Sequence, residues 1–88
     1  MTSENKRCEI ADIVPVHNAA RFLPECLSAL AAQRFDDFRC ILVDDGSTDD
    51  SPSLCDDMAL NDRRFLVIHQ AQSGVSAARI AGMRKARE

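Results

Sequence analysis

The sequence predicts an α/β fold, a three-layer, Rossmann-like βαβαβα half built on a parallel sheet. Two observations carry that prediction. Short apolar runs at residues 10–14, 38–43 and 65–69 have the length and the β-branched content of buried strands. The stretch after each run changes to a 3.6-residue period, the mark of an amphipathic helix. Right-handed crossovers then gather the tips of all three strands on one edge of the sheet, where open α/β sheets bind ligands.

Taken in order, residues 1–8 are polar and read as a flexible leader, with no apolar h-region of a secretory signal. The domain occupies residues 9–88. Ile10-Ala11-Asp12-Ile13-Val14 is the first strand, expected to stop at Val14 because Pro15 has no N–H to give a ladder. Asp12 is unusual there and fits either an edge position or a paired acid. From Ala20 to Gln33 the apolar residues Leu23, Cys26, Leu27, Leu30 and Ala31 form one helical stripe, and Pro24 falls in the first turn, where its missing donor costs little.

Phe38 to Val43 is apolar almost throughout, as a strand covered on both faces should be. Ser51 is expected to cap the second helix, with Pro52 at its first position. Leu54, Cys55, Met58 and Ala59 form its inner side, and Asp56 and Asp57 its solvated side. Asp49 and Asp50 lie near the positive end of that helix, worth about 0.3–1 kcal/mol each. Phe65-Leu66-Val67-Ile68-His69 is the third strand. The polar link from Gln70 then leads to a helix expected to be capped by Ser73, with Gly74 just inside. Its stripe is Val75, Ala78, Gly82, Met83 and Ala86, and Arg84, Lys85 and Arg87 complement its negative end.

Composition narrows the function. Eighty-eight residues make one small domain, burying about 60–65% of the unfolded surface. A net charge of −3 and the absence of Trp and Tyr argue against a nucleic-acid partner. No apolar run approaches the length of a membrane span. Cys8, Cys26, Cys40 and Cys55 are too widely spaced for a metal ribbon or redox pair and read as reduced, buried thiols, which implies a cytoplasmic location.

The strand tips hold the chemistry: Pro15-Val16-His17-Asn18, then Asp44-Asp45-Gly46-Ser47, then Gln70 to Ser76. Paired carboxylates at a strand tip can hold a metal, act as acid and base, accept hydrogen bonds from a base or ribose, or simply cap the following turn. Neighbouring strand residues point to opposite faces, so Asp44 and Asp45 are not expected to share one ligand; Asp45 is expected to reach it and Asp44 to brace the loop. A haloacid-dehalogenase-type phosphatase would need an acid at Val43. A response-regulator receiver would need an Asp where His69 and Gln70 stand. Neither glycine-rich phosphate-loop pattern occurs.

Three motifs in order, Ile13-Val14-Pro15-Val16-His17-Asn18, Ile41-Leu42-Val43-Asp44-Asp45-Gly46-Ser47-Thr48-Asp49 and Gly74-Val75-Ser76-Ala77-Ala78-Arg79-Ile80-Ala81-Gly82, resemble the N-terminal part of a family 2 glycosyltransferase with the GT-A fold. The resemblance implies a truncated GT-A domain, the nucleotide-binding half of a longer inverting enzyme that transfers a sugar from a nucleotide-diphosphate donor, usually a UDP-sugar, to a hydroxyl of a glycan, lipid or other acceptor. It implies that Pro15 and His17 line the base pocket with Asn18 beside them, that Asp45 accepts from the uracil ring, that Asp44 supports the loop or ribose, and that Arg79 lies near the nucleotide. It also implies a divalent metal, Mg or Mn, held at an Asp-x-Asp site beyond Glu88, with the catalytic base further on. This chain alone is then expected to be inactive, with its longer form cytoplasmic or at the cytoplasmic face of a membrane.

The sequence departs from the family pattern at His17, usually tyrosine, and at Ile80, usually asparagine. Each change is expected to weaken nucleotide binding by about 1 kcal/mol or more. The alternative reading is a non-catalytic module whose open sheet edge pairs with a second copy, giving a homodimer.

Overall fold

The computed structural model describes residues 10–33 and 38–88; the leader and Cys8 lie outside the described residues. The element order is β1 (Ile10–Val16), α1 (Leu23–Ala31), β2 (Phe38–Asp45), α2 (Ser51–Asn61), β3 (Phe65–Gln70) and α3 (Val75–Ala86). The strands form one parallel sheet in the order β1-β2-β3, so β2 is central and, among the described residues, β1 and β3 each keep an open edge. The α/β, Rossmann-like expectation holds.

The sheet separates two apolar layers by the two-residue alternation of its strands. Cys40 and Leu42 of β2 pack with Val16, Leu23, Leu27, Cys55 and Phe65 on the side of α1 and α2. Ile41 and Val43 pack with Ala78 of α3 on the other side. Six of these side chains, Cys40, Ile41, Leu42, Val43, Cys55 and Ala78, have no exposed surface. Complete burial of a Leu or Ile side chain contributes about 1.5–3 kcal/mol, so β2 is the main anchor of this small core. The buried thiols are inert: burial pushes Cys40 up to about 12 and Cys55 up to about 11. Cys26 is exposed, contrary to expectation, because α1 turns Leu23 and Leu27 inward and leaves Cys26 at the margin of its stripe.

At the end of the sheet away from the strand tips, Arg64 fastens the layers. It donates to both carboxylate oxygens of Asp62, at 2.6 and 2.9 Å, and to the carbonyls of Ala31 and Gln33 at 2.9 and 2.6 Å. Its guanidinium also lies 5.7 Å from the centre of the Phe38 ring. The last turn of α1 carries no basic residue of its own, so Arg64 serves the helix end from the next crossover.

Several element ends differ from the sequence reading. β1 runs through Pro15 to Val16: among the described residues it is bonded only to β2, and an edge strand has an open side on which a missing N–H breaks no ladder. Asp12 thus occupies an edge strand. β2 runs through Asp44 and Asp45, which stay in register opposite His69 and Gln70 of β3. Ser51 is the first residue of α2 and Asp50 its N-cap; Gly74, not Ser73, is the N-cap of α3.

The inner face of α3 is also made of smaller residues than its period suggested. Ala78 and Gly82 are buried, whereas Val75 and Met83 are 56% and 48% exposed. The reason is proximity: a Cβ placed on Gly82 would run into the Cγ2 of Ile13. Gly82→Val is therefore expected to lower stability by about 1–3 kcal/mol through overpacking. A fall in the urea midpoint with unchanged slope would register this loss; a midpoint equal to that of the unchanged chain would contradict the close approach.

Candidate functional site

The carboxyl ends of the strands converge as the sequence predicted, and the alternation of β2 divides them. Asp44 and Asp45 are 4% and 5% exposed and serve opposite sides of the sheet. Asp44 lies on the α1/α2 side, where it accepts the Ser47 amide at 3.1 Å and His69 Nδ1 at 2.9 Å. Asp45 lies on the α3 side. Its Oδ1 accepts from Gln70 Nε2 at 2.9 Å and the Ser73 amide at 2.8 Å, and its Oδ2 accepts the Gly74 amide at 2.9 Å. A carboxylate at these two amides also suits the positive end of α3.

His17 stands directly after β1 and donates from Nδ1 to the main-chain carbonyl of Asp45 at 2.8 Å. That bond fixes the tautomer, leaving Nε2 to accept from Asn18 Nδ2 at 3.4 Å. Pro15 pairs with Val43, on the same side of the sheet as Asp45. Pro15, His17, Asp45, Ser73 and Gly74 thus line one corner. Arg79 projects from the second turn of α3 and is exposed, with no hydrogen bond or ion pair among the described residues. Ile80 is 51% exposed on the same helix and offers no donor in the place of the usual asparagine.

Asn18 acts differently from Pro15 and His17. It adopts a left-handed backbone, φ 48°, which asparagine tolerates well. From there its side-chain oxygen accepts the Thr48 amide at 2.8 Å, and its own amide donates to Ser47 Oγ at 3.0 Å. The Ala19 amide donates to Ser51 Oγ at 2.9 Å and the Ala20 amide to Asp49 Oδ2 at 3.1 Å. The polar run after β2 is therefore a zipper that ties the β1–α1 loop to the β2–α2 loop. Ser51 is spent on that zipper, which is why it does not cap its own helix.

The sequence reading missed Gln70, His69, Asp56 and the two amides that hold Asp45. The available signal was register: if parallel strands end together, His69 falls opposite Asp44 and Gln70 opposite Asp45. His69 Nε2 also contacts Asp56 of α2 at 2.8 Å, so Asp56 is more than a solvated charge.

The residues present do not fit a divalent cation. Asp44 and Asp45 diverge, and Asp44 and Asp56 approach His69 at different ring nitrogens rather than converging on one point. Among the described residues, no group of three or more His, Cys, Asp or Glu side chains is arranged to hold a metal ion.

Hydrogen bonds set the charge state of the corner. Those from Gln70 first, then Ser73 and Gly74, hold Asp45 below the usual carboxylate value of 3.8. Burial pushes Asp44 up, but the bonds from Ser47 and His69 outweigh it and leave that group lowered as well. Asp49 is lowered chiefly by its bond with Ser51.

Polar residues gathered at the carboxyl ends of parallel strands are common to open α/β sheets, and the likeness to known proteins narrows the fold to GT-A. The structure matches a mannosyltransferase from Pyrobaculum calidifontis, solved in complex with GDP-Man and Mn2+, with a TM-score of 0.79 and 25% identity, covering 90% of this chain and 24% of that one. Among curated proteins, the uncharacterized glycosyltransferase EpsJ of Bacillus subtilis is 42% identical over 78 residues, 89% of this chain and 23% of its own length. Glycosyltransferase GlyG of Streptococcus pneumoniae is 40% identical over 68 residues, 77% of this chain and 23% of its own. The family described as glycosyl transferase family 2 matches residues 13–88, and the chain belongs to that family. It spans about a quarter of the length of these relatives. Among the described residues, no helix is long and apolar enough to cross a membrane.

Two outcomes follow from the geometry. The three lowered carboxylates contribute stability that is fully present above pH 3.8 and is lost as pH falls through their folded values. Circular dichroism on acidification should therefore show stability declining below about pH 4; a flat response down to about pH 2 would contradict it. Gly46 has φ +71°, and a Cβ there would meet the Gln72 amide nitrogen at 2.6 Å. Gly46→Ala should cost about 1–3 kcal/mol and separate the turn from the β3–α3 loop, visible as faster amide exchange at Ser47 and Ser73; unchanged exchange would contradict the contact.

Proposed function

We propose that this chain is the nucleotide-binding portion, residues 9–88, of an inverting glycosyltransferase that takes a UDP-sugar and transfers the sugar to an acceptor hydroxyl. The observation that carries the choice of base is the state of Asp45. A carboxylate offers about four acceptor directions. Three are taken by Gln70, Ser73 and Gly74, leaving one, on Oδ2. Uracil presents one ring N–H between two carbonyls, which suits a single free acceptor. Guanine presents two adjacent donors and would need both oxygens. The GDP-Man of the Pyrobaculum relative supports a nucleotide-sugar donor for this fold, and the valence of Asp45 favours uracil for this chain.

On this reading the base lies at Pro15, His17 and Asp45, with His17 the ring beside it and Arg79 on the side of the phosphates. Asp44 and Asn18 brace the two loops that frame the corner. The class is served by a divalent cation that offsets charge on the departing diphosphate. Its ligands, and the base that deprotonates the acceptor, then belong to the part of the relatives that this chain does not span, so the chain binds the donor without turning it over. The open edges of β1 and β3 leave room for pairing with a second copy, which sedimentation at several concentrations would reveal; family membership favours the transferase reading.

Titration of the chain with UDP, followed by amide shifts, should perturb His17, Ser73 and Gly74 at millimolar ligand. GDP should bind about tenfold more weakly, because one of its donors stays unpaired. Absence of any UDP response, or tighter binding of GDP, would contradict the proposal. Asp45→Ala should abolish binding, but it also releases three donors. His17→Ala is the cleaner variant, expected to weaken UDP several-fold while leaving the unfolding midpoint almost unchanged.

A further inference from the structure

The nucleotide corner accounts for Asp45 and its partners, but not for the cluster on the other face of the sheet. There, the His69 imidazole lies between two carboxylates, with Nδ1 2.9 Å from Asp44 Oδ2 and Nε2 2.8 Å from Asp56 Oδ1. A neutral imidazole carries one N–H and cannot donate to both. Only the imidazolium satisfies this geometry; the neutral ring would set a lone pair against one carboxylate. The two partners differ in freedom, since the side chain of Asp44 is 6% exposed and that of Asp56 56% exposed.

Asp44 is also the residue on which the following turn hangs. It receives the Ser47 amide, and Ser47 Oγ in turn receives the amide of Asn18, next to His17. A continuous path of hydrogen bonds therefore joins His69 to the loop that carries the base-side histidine. We infer that His69 is a positioning residue that works as a proton-dependent tie: as an imidazolium it fastens the tip of β2 to α2 and holds the Asp44–Ser47 turn in its nucleotide-binding geometry. The functional half of this inference rests on the proposed nucleotide reading; the tie itself does not.

The titratable groups facing His69 are Asp44 from β2 and Asp56 from α2. No cation faces it among the described contacts. Hydrogen bonding to Asp44 first, then to Asp56, raises His69 above the usual histidine value of 6.5. The sign follows: the contribution of the tie is complete below pH 6.5 and is lost as pH rises through the folded value. Above it, one tautomer keeps Nδ1–H on the buried Asp44 and frees Asp56. The remaining bond loses the charge assistance that made it strong.

The test is an NMR titration of the chain from about pH 5 to pH 9, following the His69 ring and the Ser47 amide, with UDP affinity measured on either side of the midpoint. The expected result is a Ser47 shift with the midpoint of His69 and UDP binding about fivefold weaker above it. Asp56→Asn, a surface change, should lower the midpoint. His69→Gln, which keeps an N–H donor but does not take a proton in this pH range, should remove the pH dependence of both readouts. A Ser47 amide that ignores His69, or equal UDP affinity on both sides of the midpoint, would overturn the inference. A Ser47 response without UDP binding at any pH would overturn the nucleotide reading while upholding the tie.

Discussion

The structure depends on one geometric fact: consecutive residues of a strand face opposite sides of the sheet. Because β2 keeps its extended form through Asp44 and Asp45, the acid pair is split between the two layers. Each carboxylate then recruits its own partners. On one face Asp45 collects the start of α3, and on the other Asp44 collects the turn toward α2. Had the strand broken one residue earlier, both acids would have been available to a single ligand, and the corner would resemble a metal site.

The same constraint ties the loops of the corner to one another. Buried carboxylates are costly unless their lone pairs are met, and here they are met by amides of the loops that must be positioned. Asp45 fixes Ser73 and Gly74, Asp44 fixes Ser47, and Asn18 and Ser51 stitch the first loop to the second. Desolvation and loop order are thus solved by the same bonds. A base arriving beside His17 would find the loops ordered already, which lowers the entropic cost of binding.

Much of this was legible in the sequence. The three apolar runs, the change of period after each and the order of the motifs led to the parallel α/β half-sheet and to the polar residues at its tips. The opposition of Asp44 and Asp45 followed from strand alternation alone. What failed was local punctuation. Two acids after an apolar run look like the end of a strand, but their partners come from β3 and from amides whose positions no local pattern reveals. Pro15 looks like a stop until β1 is seen to be an edge. Ser51 and Ser73 look like caps until their hydroxyls are found to serve the Ala19 amide and the Ala71 carbonyl. On α3, size misled: Val75 and Met83 are more apolar than Ala78 and Gly82, yet the closeness of Ile13 admits only the smaller pair.

The central claim is that the nucleotide corner lies on the α3 side of the sheet, at Asp45, while Asp44 and His69 on the other side support it. Intermolecular nuclear Overhauser effects between bound UDP and the chain test that claim most directly. The account predicts contacts from the uracil H5 and H6 protons to the His17 ring and to the Pro15 side chain. Contacts from those protons to His69 or the side chains of α2 would place the base on the opposite face and contradict it.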